Sequence, residues 1–428
     1  MEQMNIAILG FGVVGSGVYR ILTENHNELN HREELDLHVS RILIKDFESE
    51  PNLDLAPREL FTMDFETIVN DPEISIVVET MGGVEPARSY LLAAMEAGKT
   101  VVTSNKEVIS KHWPAFDAAA KKHKVGLYYE ATVGGGIPLI RTIIDSMQAN
   151  NLSRVLGIIN GTTNYILTKM SEEGLDFAEV LSEAQALGYA EADPTADIEG
   201  FDATYKLSIL ASLAFHSHLP VPDIYREGIT KLTAMDFDIA KRLGYEIKLL
   251  AIGKKRGTNI EVRVHPTMIP KSHPLASVRG VFNAVFLTGH AVDDVMLYGR
   301  GAGSMPTASA VVSDVIYAGH AMGRHRKITF INEQQRSDAI TLVPDFESAY
   351  CIRLSVDDAP GVLARCASVL GKFGVSLRNV FQPYEGEGGA RITFVTHRAR
   401  EFAVRDALSE IATLDCVRAV ESLLRVEE

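Results

Sequence analysis

A stretch rich in acidic residues runs from Glu191 to Asp202 and is followed by Lys206. A proline in its first half disfavours helix, so the part from Glu191 to Asp197 is predicted to be a loop. Asp202 and Lys206 are four residues apart and would share one face of the next helix. Such a pair is typical either of a surface salt bridge or of a site for general acid–base catalysis.

The helix predicted over 201–215 favours catalysis. Ile209 and Leu213 continue the stripe that Asp202 and Lys206 begin, and apolar residues also cover the opposite side. A helix that is apolar all round is buried. Lys206 is therefore predicted to be a partly desolvated ammonium held by Asp202, which suits general acid–base work.

A second lysine follows the predicted strand 100–103, in the sequence Ser104-Asn105-Lys106. Open α/β sheets place their ligands at the carboxyl ends of the strands. Lys106 at such a position could bind a carboxylate or an oxygen at the reacting centre. A lysine beyond a strand is as often an ordinary surface residue, so both interpretations stay open.

A glycine-rich turn follows the first predicted strand, residues 4–10, and opens the first helix. It has the pattern GxGxxG, formed by Gly10, Phe11, Gly12, Val13, Val14 and Gly15. Gly10 permits the tight turn, Gly12 lets the backbone approach a pyrophosphate, and Gly15 lets the helix pack close to the strand. The motif in this context predicts a dinucleotide-binding site.

The preference between NAD and NADP depends on the end of the second strand, which holds Lys45 and Asp46. Lys45 could meet the 2′-phosphate of NADP, whereas Asp46 could accept a hydrogen bond from the ribose of NAD. The adjacent opposite charges leave the choice between the two cofactors open, and we expect NADP.

The stretch from Glu130 to Pro138 contains three consecutive glycines. Their exposed backbone carbonyls, together with the Glu130 carboxylate, could coordinate a hard cation through oxygen. A glycine-rich hinge between domains explains the pattern equally well.

The composition excludes several classes of protein. The 428 residues are 46% hydrophobic and carry a formal net charge of −14, which argues against disorder and against nucleic-acid binding through phosphates. No apolar run approaches the ~20 residues of a membrane span, and the N-terminus lacks the basic segment of a signal peptide. The three cysteines show no disulfide or zinc spacing, so we expect a cytoplasmic protein with reduced thiols.

The order of the predicted elements indicates an α/β fold class. Strands and helices alternate in the first third of the chain, which predicts a Rossmann-like parallel sheet over 1–132 with helices on both faces. An α+β catalytic and dimerisation domain with a mixed sheet is predicted over 133–330, and its helix around 307–322 is expected to pack back on the first domain. A polar linker over 331–348 leads to a C-terminal domain over 349–428, whose βαββαβ order is ferredoxin-like.

These motifs together resemble the bacterial homoserine dehydrogenase family whose members carry a C-terminal ACT domain, and the resemblance covers essentially the whole chain. Its most specific stretch has the residues of the family signature at the required spacing, namely Ala184, Gly188, Pro194, Asp197, Gly200, Asp202 and Lys206. The supporting stretches are 104–106, 130–138, 160–164, 301–303 and 306–310. Arg300 stands where the family commonly has proline.

The resemblance implies an NAD(P)-dependent enzyme that interconverts aspartate 4-semialdehyde and homoserine, on the route to threonine, methionine and isoleucine. Lys206 resembles the family's proton donor, and Lys106 resembles the lysine that contacts cofactor and substrate. Further residues are implied to bind substrate (Glu191, Asp197, Asp202 and Thr162), cofactor (Ser104, Gly188 and Gly303, besides the glycine turn and Lys45) and a sodium or potassium ion (Glu130 with the carbonyls of Val133, Gly135 and Ile137).

The C-terminal region resembles an ACT domain, because its first strand is followed by an Asp-x-Pro-Gly turn and a helix. Such domains commonly bind an amino acid between two copies, which implies feedback inhibition by threonine and a homo-oligomer, either a dimer or a tetramer. Asp358, Gly361 and Asn379 are the candidates for the effector pocket. A domain that only assembles the oligomer is the alternative.

Two other functions compete with this one. Another ACT-regulated NAD(P)-dependent dehydrogenase would use a histidine paired with a carboxylate, and no histidine is predicted to stand in such a setting. A catalytically silent amino-acid sensor would tolerate the loss of Asp202 or Lys206, yet both are present in register. The sequence therefore favours homoserine dehydrogenase, acting on a small molecule without nucleic acid or membrane.

Overall fold

The computed structural model describes residues 3–323, 340–382 and 389–427. Their strands, in chain order, are β1 (Gln3–Leu9), β2 (Asp36–Leu43), β3 (Phe61–Thr62), β4 (Ile74–Glu79), β5 (Thr100–Thr103), β6 (Leu127–Tyr128), β7 (Leu152–Ile158), β8 (Tyr225–Arg226), β9 (Tyr245–Arg256), β10 (Asn259–Pro270), β11 (Phe282–Gly289), β12 (Asp293–Arg300), β13 (Thr341–Leu342), β14 (Glu347–Val356), β15 (Leu377–Phe381), β16 (Ala390–Thr396), β17 (Ala399–Arg400) and β18 (Val417–Val426). Their helices are α1 (Val13–Glu24), α2 (His26–Glu33), α3 (Glu66–Val69), α4 (Ala87–Glu96), α5 (Lys106–His123), α6 (Leu139–Arg141), α7 (Gly161–Glu173), α8 (Phe177–Ala186), α9 (Thr195–Ile198), α10 (Phe201–Phe215), α11 (Ala234–Arg242), α12 (Ser304–Gly323), α13 (Val362–Lys372) and α14 (Glu401–Ile411).

The described residues form two compact units. The first unit draws on 1–161, 202–224 and 282–340, and the second on 162–201, 225–281 and 341–428. The units interleave along the chain, whereas the predicted domains follow one another. The predicted domain boundaries stay predictions, and half of the predicted linker, residues 331–339, lies outside the described residues.

The first unit contains a parallel sheet with the strand order β3-β2-β1-β4-β5-β6. Its central strand β1 is flanked by β2 and β4, so that Ile8 lies beside Ile42 on one side and Val78 on the other. The remaining neighbours are parallel as well. This order is the one expected of a dinucleotide-binding sheet, and the predicted Rossmann-like fold is confirmed.

After β5 the sequence pattern predicts a helix over 112–124, but this helix begins earlier, at Lys106. Asn105 caps it, because its side chain accepts a hydrogen bond from the Val108 N–H at 3.1 Å. His112 has non-helical backbone angles, and Pro114 lies inside the helix. Since proline removes a helical hydrogen bond, α5 is kinked there, and the sequence pattern resembled a helix only beyond the kink.

The same unit contains the antiparallel strands β12-β11-β7 and the long helix α12. A Cβ atom at Gly17 of α1 would lie 2.9 Å from the Ser304 hydroxyl oxygen and 3.0 Å from Ala308 Cβ. Only glycine permits this approach. Helix α12 therefore packs directly on the first helix of the dinucleotide-binding sheet.

The second unit contains the antiparallel pair β9 and β10 and the strands β18-β14-β16-β15. Its C-terminal part runs β14, α13, β15, β16, α14, β18, with antiparallel neighbours throughout the four-stranded sheet. Ile352, Leu370 and Phe394 belong to its buried core. The predicted ferredoxin-like arrangement is confirmed. The sequence pattern also predicts a strand over 375–384 in this module, and the last two residues of that range lie outside the described part of the chain.

In the described parts of the chain, no helix is long and apolar enough to cross a membrane. Cys351, Cys366 and Cys416 are all buried and form no disulfide with one another.

Candidate active site

Asp202 and Lys206 lie one turn apart on α10, a helix on which every residue except Phe201 and Tyr205 is buried. The prediction that this helix is buried is confirmed. Lys206 Nζ lies 2.7 Å from Asp202 Oδ2 and donates to the Ile159 carbonyl oxygen at 2.8 Å. The ammonium group is thus held in one orientation by an acceptor on its own helix and by another just after β7.

Lys106 joins this pair from α5. Its Nζ lies 2.9 Å from Asp202 Oδ1, while its side chain is 40% exposed. The Asp202 carboxylate therefore bridges two ammonium groups, and Asn160 Nδ2 donates a third contact to its Oδ2 at 2.8 Å. The structure brings both predicted lysines to one carboxylate.

The ionisation of Asp202 follows from these contacts. Burial opposes the charged form, but the ammonium groups of Lys206 and Lys106, with the Asn160 amide, overcome it and hold the pKa of Asp202 below its ordinary value. Two cations and one anion leave one net positive charge at the site. Such a charge stabilises an oxygen that becomes negative during a reaction.

A buried carboxylate lies at the end of the sheet beside Lys106 and accepts several hydrogen bonds there. The sequence analysis did not predict it. Glu79, at the end of β4, accepts hydrogen bonds from the backbone N–H groups of Met81 and Gly82 at 2.8 and 3.2 Å and from the Thr103 hydroxyl at 2.6 Å. Burial raises the pKa of Glu79, and these donors act against that rise. An acid at the end of a largely apolar strand was the signal available in the sequence.

The Glu79 network continues to the start of α5. Thr103 Oγ1 accepts from the Asn105 N–H at 2.9 Å, and Asn105 Nδ2 donates to the Gly83 carbonyl at 2.7 Å. Asn105 is also the cap of α5, whose first residue is Lys106. The network therefore ties the loop after β4 to the helix end that carries Lys106.

The three glycines of the GxGxxG turn meet different surroundings. Gly10 has a φ of 91°, and a Cβ there would lie 3.0 Å from Met81. A Cβ at Gly15 would lie 2.1 Å from the Gly10 carbonyl oxygen, whereas a Cβ at Gly12 would meet no described atom within 4 Å. Gly10 and Gly15 are thus needed by the fold, and Gly12 leaves open space before the first turn of α1. Those features fit a bound pyrophosphate, which the helix N-terminus attracts.

The other residues of the turn support this arrangement. Phe11 is buried against Tyr19 and Phe61, and Val13 is exposed at the first turn of α1. Ser304, the residue after Gly303, donates from its hydroxyl to the Val13 carbonyl at 2.6 Å. The structure thus brings the chain next to Gly303 to the predicted dinucleotide turn.

The residues predicted to lie near the cofactor differ in their exposure and in their hydrogen bonds. Lys45 is exposed beyond the end of β2. Asp46 Oδ1 accepts a hydrogen bond from the Glu48 N–H at 3.0 Å and so closes a local turn. Ser104 follows β5, where its N–H donates to the Glu79 carbonyl at 3.2 Å.

The stretch predicted to bind a cation, residues 130–138, is buried except at Gly136 and Pro138. Glu130 accepts hydrogen bonds from the Ile140 and Arg141 N–H groups, each at 2.8 Å, and thereby caps the short helix α6. The carbonyl-bearing residues Val133 and Ile137 are 0% and 3% exposed. Carboxylate and carbonyl oxygens are the donors that hard cations prefer, so the donor set fits such an ion.

Gly134 and Gly135 shape this stretch. They have φ values of 75° and 53°, which glycine adopts most readily. A Cβ at Gly135 would lie 2.7 Å from the Gly301 carbonyl, so the chain passes close to the residues that follow β12. Both glycines are thus required by the local backbone.

Four residues assigned by resemblance lie in the second unit: Thr162, Gly188, Glu191 and Asp197. The Thr162 hydroxyl donates to the Tyr189 carbonyl at 2.7 Å and holds the loop after α8 against the start of α7. In that loop, Gly188 has a φ of 74° and the Glu191 side chain is exposed. Asp197 is half-buried on α9.

The three candidate effector residues are exposed in the C-terminal module, residues 349–427. Asp358 and Gly361 follow the end of β14 at Val356. Asn379 of β15 and Cys351 of β14 pair with the same residue of β16. Asn379 is therefore level with a position five residues before Val356, roughly 17 Å along the strand. One copy of the module does not gather all three residues into one pocket.

The first unit defines a nicotinamide-dependent oxidoreductase, since it combines a Rossmann-like sheet and glycine turn with a buried lysine held by a carboxylate. The family model for the homoserine dehydrogenase NAD-binding domain matches residues 10–130, and the homoserine dehydrogenase model matches residues 138–316. The chain belongs to the homoserine dehydrogenase family.

The chain is similar to known homoserine dehydrogenases over most or all of its length. A homoserine dehydrogenase of Synechocystis sp. is 43% identical, with 99% of each chain covered. The crystal structure of a homoserine dehydrogenase from Thiobacillus denitrificans is 39% identical, with a TM-score of 0.95, and covers 100% of this chain and 99% of its own. A hyperthermophilic archaeal homoserine dehydrogenase in complex with NADPH is 30% identical, with a TM-score of 0.64, and covers 74% of this chain and 98% of its own.

Proposed function

We propose that this dehydrogenase reduces L-aspartate 4-semialdehyde to L-homoserine with Lys206 as the proton donor. The observation that carries the proposal is the bridged arrangement of Lys106, Asp202 and Lys206 on the unit with the dinucleotide-binding sheet. Bound NAD(P)H supplies the hydride for such a reduction. The residues must then supply charge and a proton at the aldehyde oxygen.

The two lysines divide this work. The positive charges of Lys106 and Lys206 stabilise the oxygen as it gains negative charge. Lys206 Nζ then gives it a proton, while Asp202 Oδ2 and the Ile159 carbonyl keep the nitrogen in place. Asp202 remains ionised because its pKa lies below the usual range. The reverse reaction uses the same groups, with Lys206 accepting the proton.

The remaining site residues are proposals from the family resemblance. Thr162, Glu191 and Asp197, with Asp202, bind the amino-acid part of the substrate. Gly10 to Gly15, Lys45, Ser104, Gly188 and Gly303 bind the cofactor, and Glu130 with the carbonyls of Val133, Gly135 and Ile137 holds Na⁺ or K⁺. NADP is the proposed cofactor, supported by Lys45 beyond β2 and by the NADPH bound to the archaeal relative.

The C-terminal module is proposed to sense threonine. The two family models end at residues 130 and 316, before this module begins. The archaeal relative matches only 74% of this chain while being almost fully covered itself, so a dehydrogenase of this family exists without the rest. The separation of Asn379 from Asp358 and Gly361 supports a pocket between two copies, and hence a homo-oligomer. A module that only assembles the dimer or tetramer is the second candidate for its function.

We also propose that the protein is located in the cytoplasm.

The proposed activity is tested by following NADPH and NADH oxidation separately with aspartate 4-semialdehyde, in buffer containing Na⁺ or K⁺. We expect rapid oxidation, faster with NADPH, and inhibition by added threonine. Other aldehydes of similar size serve as controls for substrate choice. A folded sample that oxidises neither cofactor would contradict the assigned reaction. Equal rates with NADH would contradict only the preference for NADP.

The effector pocket is tested by Asp358→Ala and Asn379→Ala. Each change removes a polar group that would contact the charged effector, so the threonine concentration for half inhibition should rise about tenfold or more. Activity without threonine should stay unchanged. Asp406→Ala, at an exposed position of α14 in the same module, is the matched control. Inhibition that is unaltered in both variants would place the effector elsewhere.

A further inference from the structure

Two histidines and an aspartate meet at the outer end of the first unit's parallel sheet. His26 is the first residue of α2, and Asp36 and His38 are the first and third residues of β2. Alternate residues of a strand point to the same face. Each of the three side chains offers one ligand atom, and these atoms lie within 4.8 Å of one another. The proposed mechanism uses none of them.

The buried side chain of Asn30 lies beneath this cluster and contacts it. The Asn30 side chain is only 9% exposed, and its Oδ1 accepts from the Leu37 N–H at 3.3 Å. The amide NH₂ group therefore faces the cluster, with its nitrogen 3.1 Å from Asp36 Oδ1 and 3.2 Å from His26 Nε2. His38 Nε2 lies 2.7 Å from the same Asp36 oxygen. These contacts pre-position the carboxylate and both rings.

We propose that His26, Asp36 and His38 bind one divalent transition-metal ion of the zinc class. Two imidazole nitrogens and a carboxylate oxygen suit Zn²⁺, Co²⁺, Ni²⁺ or Cu²⁺, whereas Na⁺ and Mg²⁺ prefer oxygen alone. Two ligand atoms on one Zn²⁺ ion are at most about 4.2 Å apart. Since the His38 and Asp36 side chains are 41% and 33% exposed, they close the remaining gap without repacking the core. Water completes the coordination.

The position of the site makes the ion structural. Asp36 begins β2, and the eight residues of this strand place it roughly 23 Å from the carboxyl edge, where the glycine turn and Lys45 lie. The ion would tie the start of α2 to the start of β2 and close the connection between them.

His38 and Asp36 also form a histidine–carboxylate pair, contrary to the expectation from sequence. Their distance from the ligand edge gives no support to a histidine-based dehydrogenase.

The test titrates the metal-free, full-length enzyme with Zn²⁺ by calorimetry and with Co²⁺ by visible absorbance. We expect saturation at one equivalent per chain and a higher Tm with Zn²⁺. His26→Gln and His38→Gln should each weaken binding at least ~10-fold. His31→Gln, at an exposed position on α2, is the matched control and should bind like the parent.

Either of two results would overturn the site. One is that the parent protein does not saturate at one equivalent of metal. The other is that both histidine variants bind the metal with the affinity of the parent. If His38→Gln impairs folding, His26→Gln decides alone, because His26 lies at a partly exposed helix start. The turnover of all variants with aspartate 4-semialdehyde should equal that of the parent. Failure of the metal site therefore leaves the proposed reaction untouched.

Discussion

Replacing Lys206 by alanine is expected to lower kcat by at least ~10²-fold, the scale of a lost general acid. The Lys206 ammonium is held 2.7 Å from Asp202 Oδ2 and 2.8 Å from the Ile159 carbonyl oxygen, and alanine has no proton to donate from that position. The cofactor turn lies on separate elements, and the affinity for NADPH should stay unchanged. Steady-state kinetics gives the first quantity, and fluorescence titration of NADPH gives the second.

Lys206→Arg separates charge from proton transfer. Arginine keeps the positive charge but does not release its proton at the working pH. We therefore expect this variant to be impaired as well. Lys111→Ala, which removes an exposed lysine on α5, serves as the control and should be fully active. Near-normal turnover in Lys206→Ala would rule out the assigned role, provided that thermal melting shows a folded protein.

The second large effect is expected from Gly12→Ala. A Cβ at Gly12 meets no described atom within 4 Å, so the Tm should not change. In the bound state it would stand where the backbone approaches the cofactor phosphates. Loss of a hydrogen bond to a charged group weakens binding by about 1.5 kcal/mol or more, so the Kd for NADPH should rise about tenfold or more. Calorimetric titration of NADPH gives this Kd.

Substitutions at two other glycines serve as comparisons for Gly12→Ala. Gly371→Ala, on α13 of the C-terminal module, also adds a Cβ that meets no described atom within 4 Å. Because alanine favours helix over glycine, this variant should not lower the Tm, and its NADPH affinity should stay unchanged. Gly15→Ala places its Cβ 2.1 Å from the Gly10 carbonyl oxygen and should destabilise the turn itself. Unchanged NADPH affinity in a folded Gly12→Ala protein would place the cofactor phosphates away from this turn.

Much of the fold followed from local patterns. The apolar run before Gly10 and the glycine spacing predicted the first strand, turn and helix, because these depend on residues close together in the chain. The same holds for α10, where Asp202 and Lys206 share a face. The kink at His112 hid the first turns of α5 from the pattern, and α2, a polar helix, was not predicted at all.

The sequence by itself determined the parallel sheet, the dinucleotide turn, the buried Asp202–Lys206 pair and the ferredoxin-like module. Each of these rests on a period of two or 3.6 residues, or on a short glycine motif, which neighbouring residues set. The tertiary structure alone decided that Lys106 reaches the Asp202 carboxylate, that Glu79 braces the helix end carrying Lys106, and that His26 meets Asp36 and His38. These contacts join residues far apart in the chain or on different elements. They arise from strand order and helix packing, which no local period encodes.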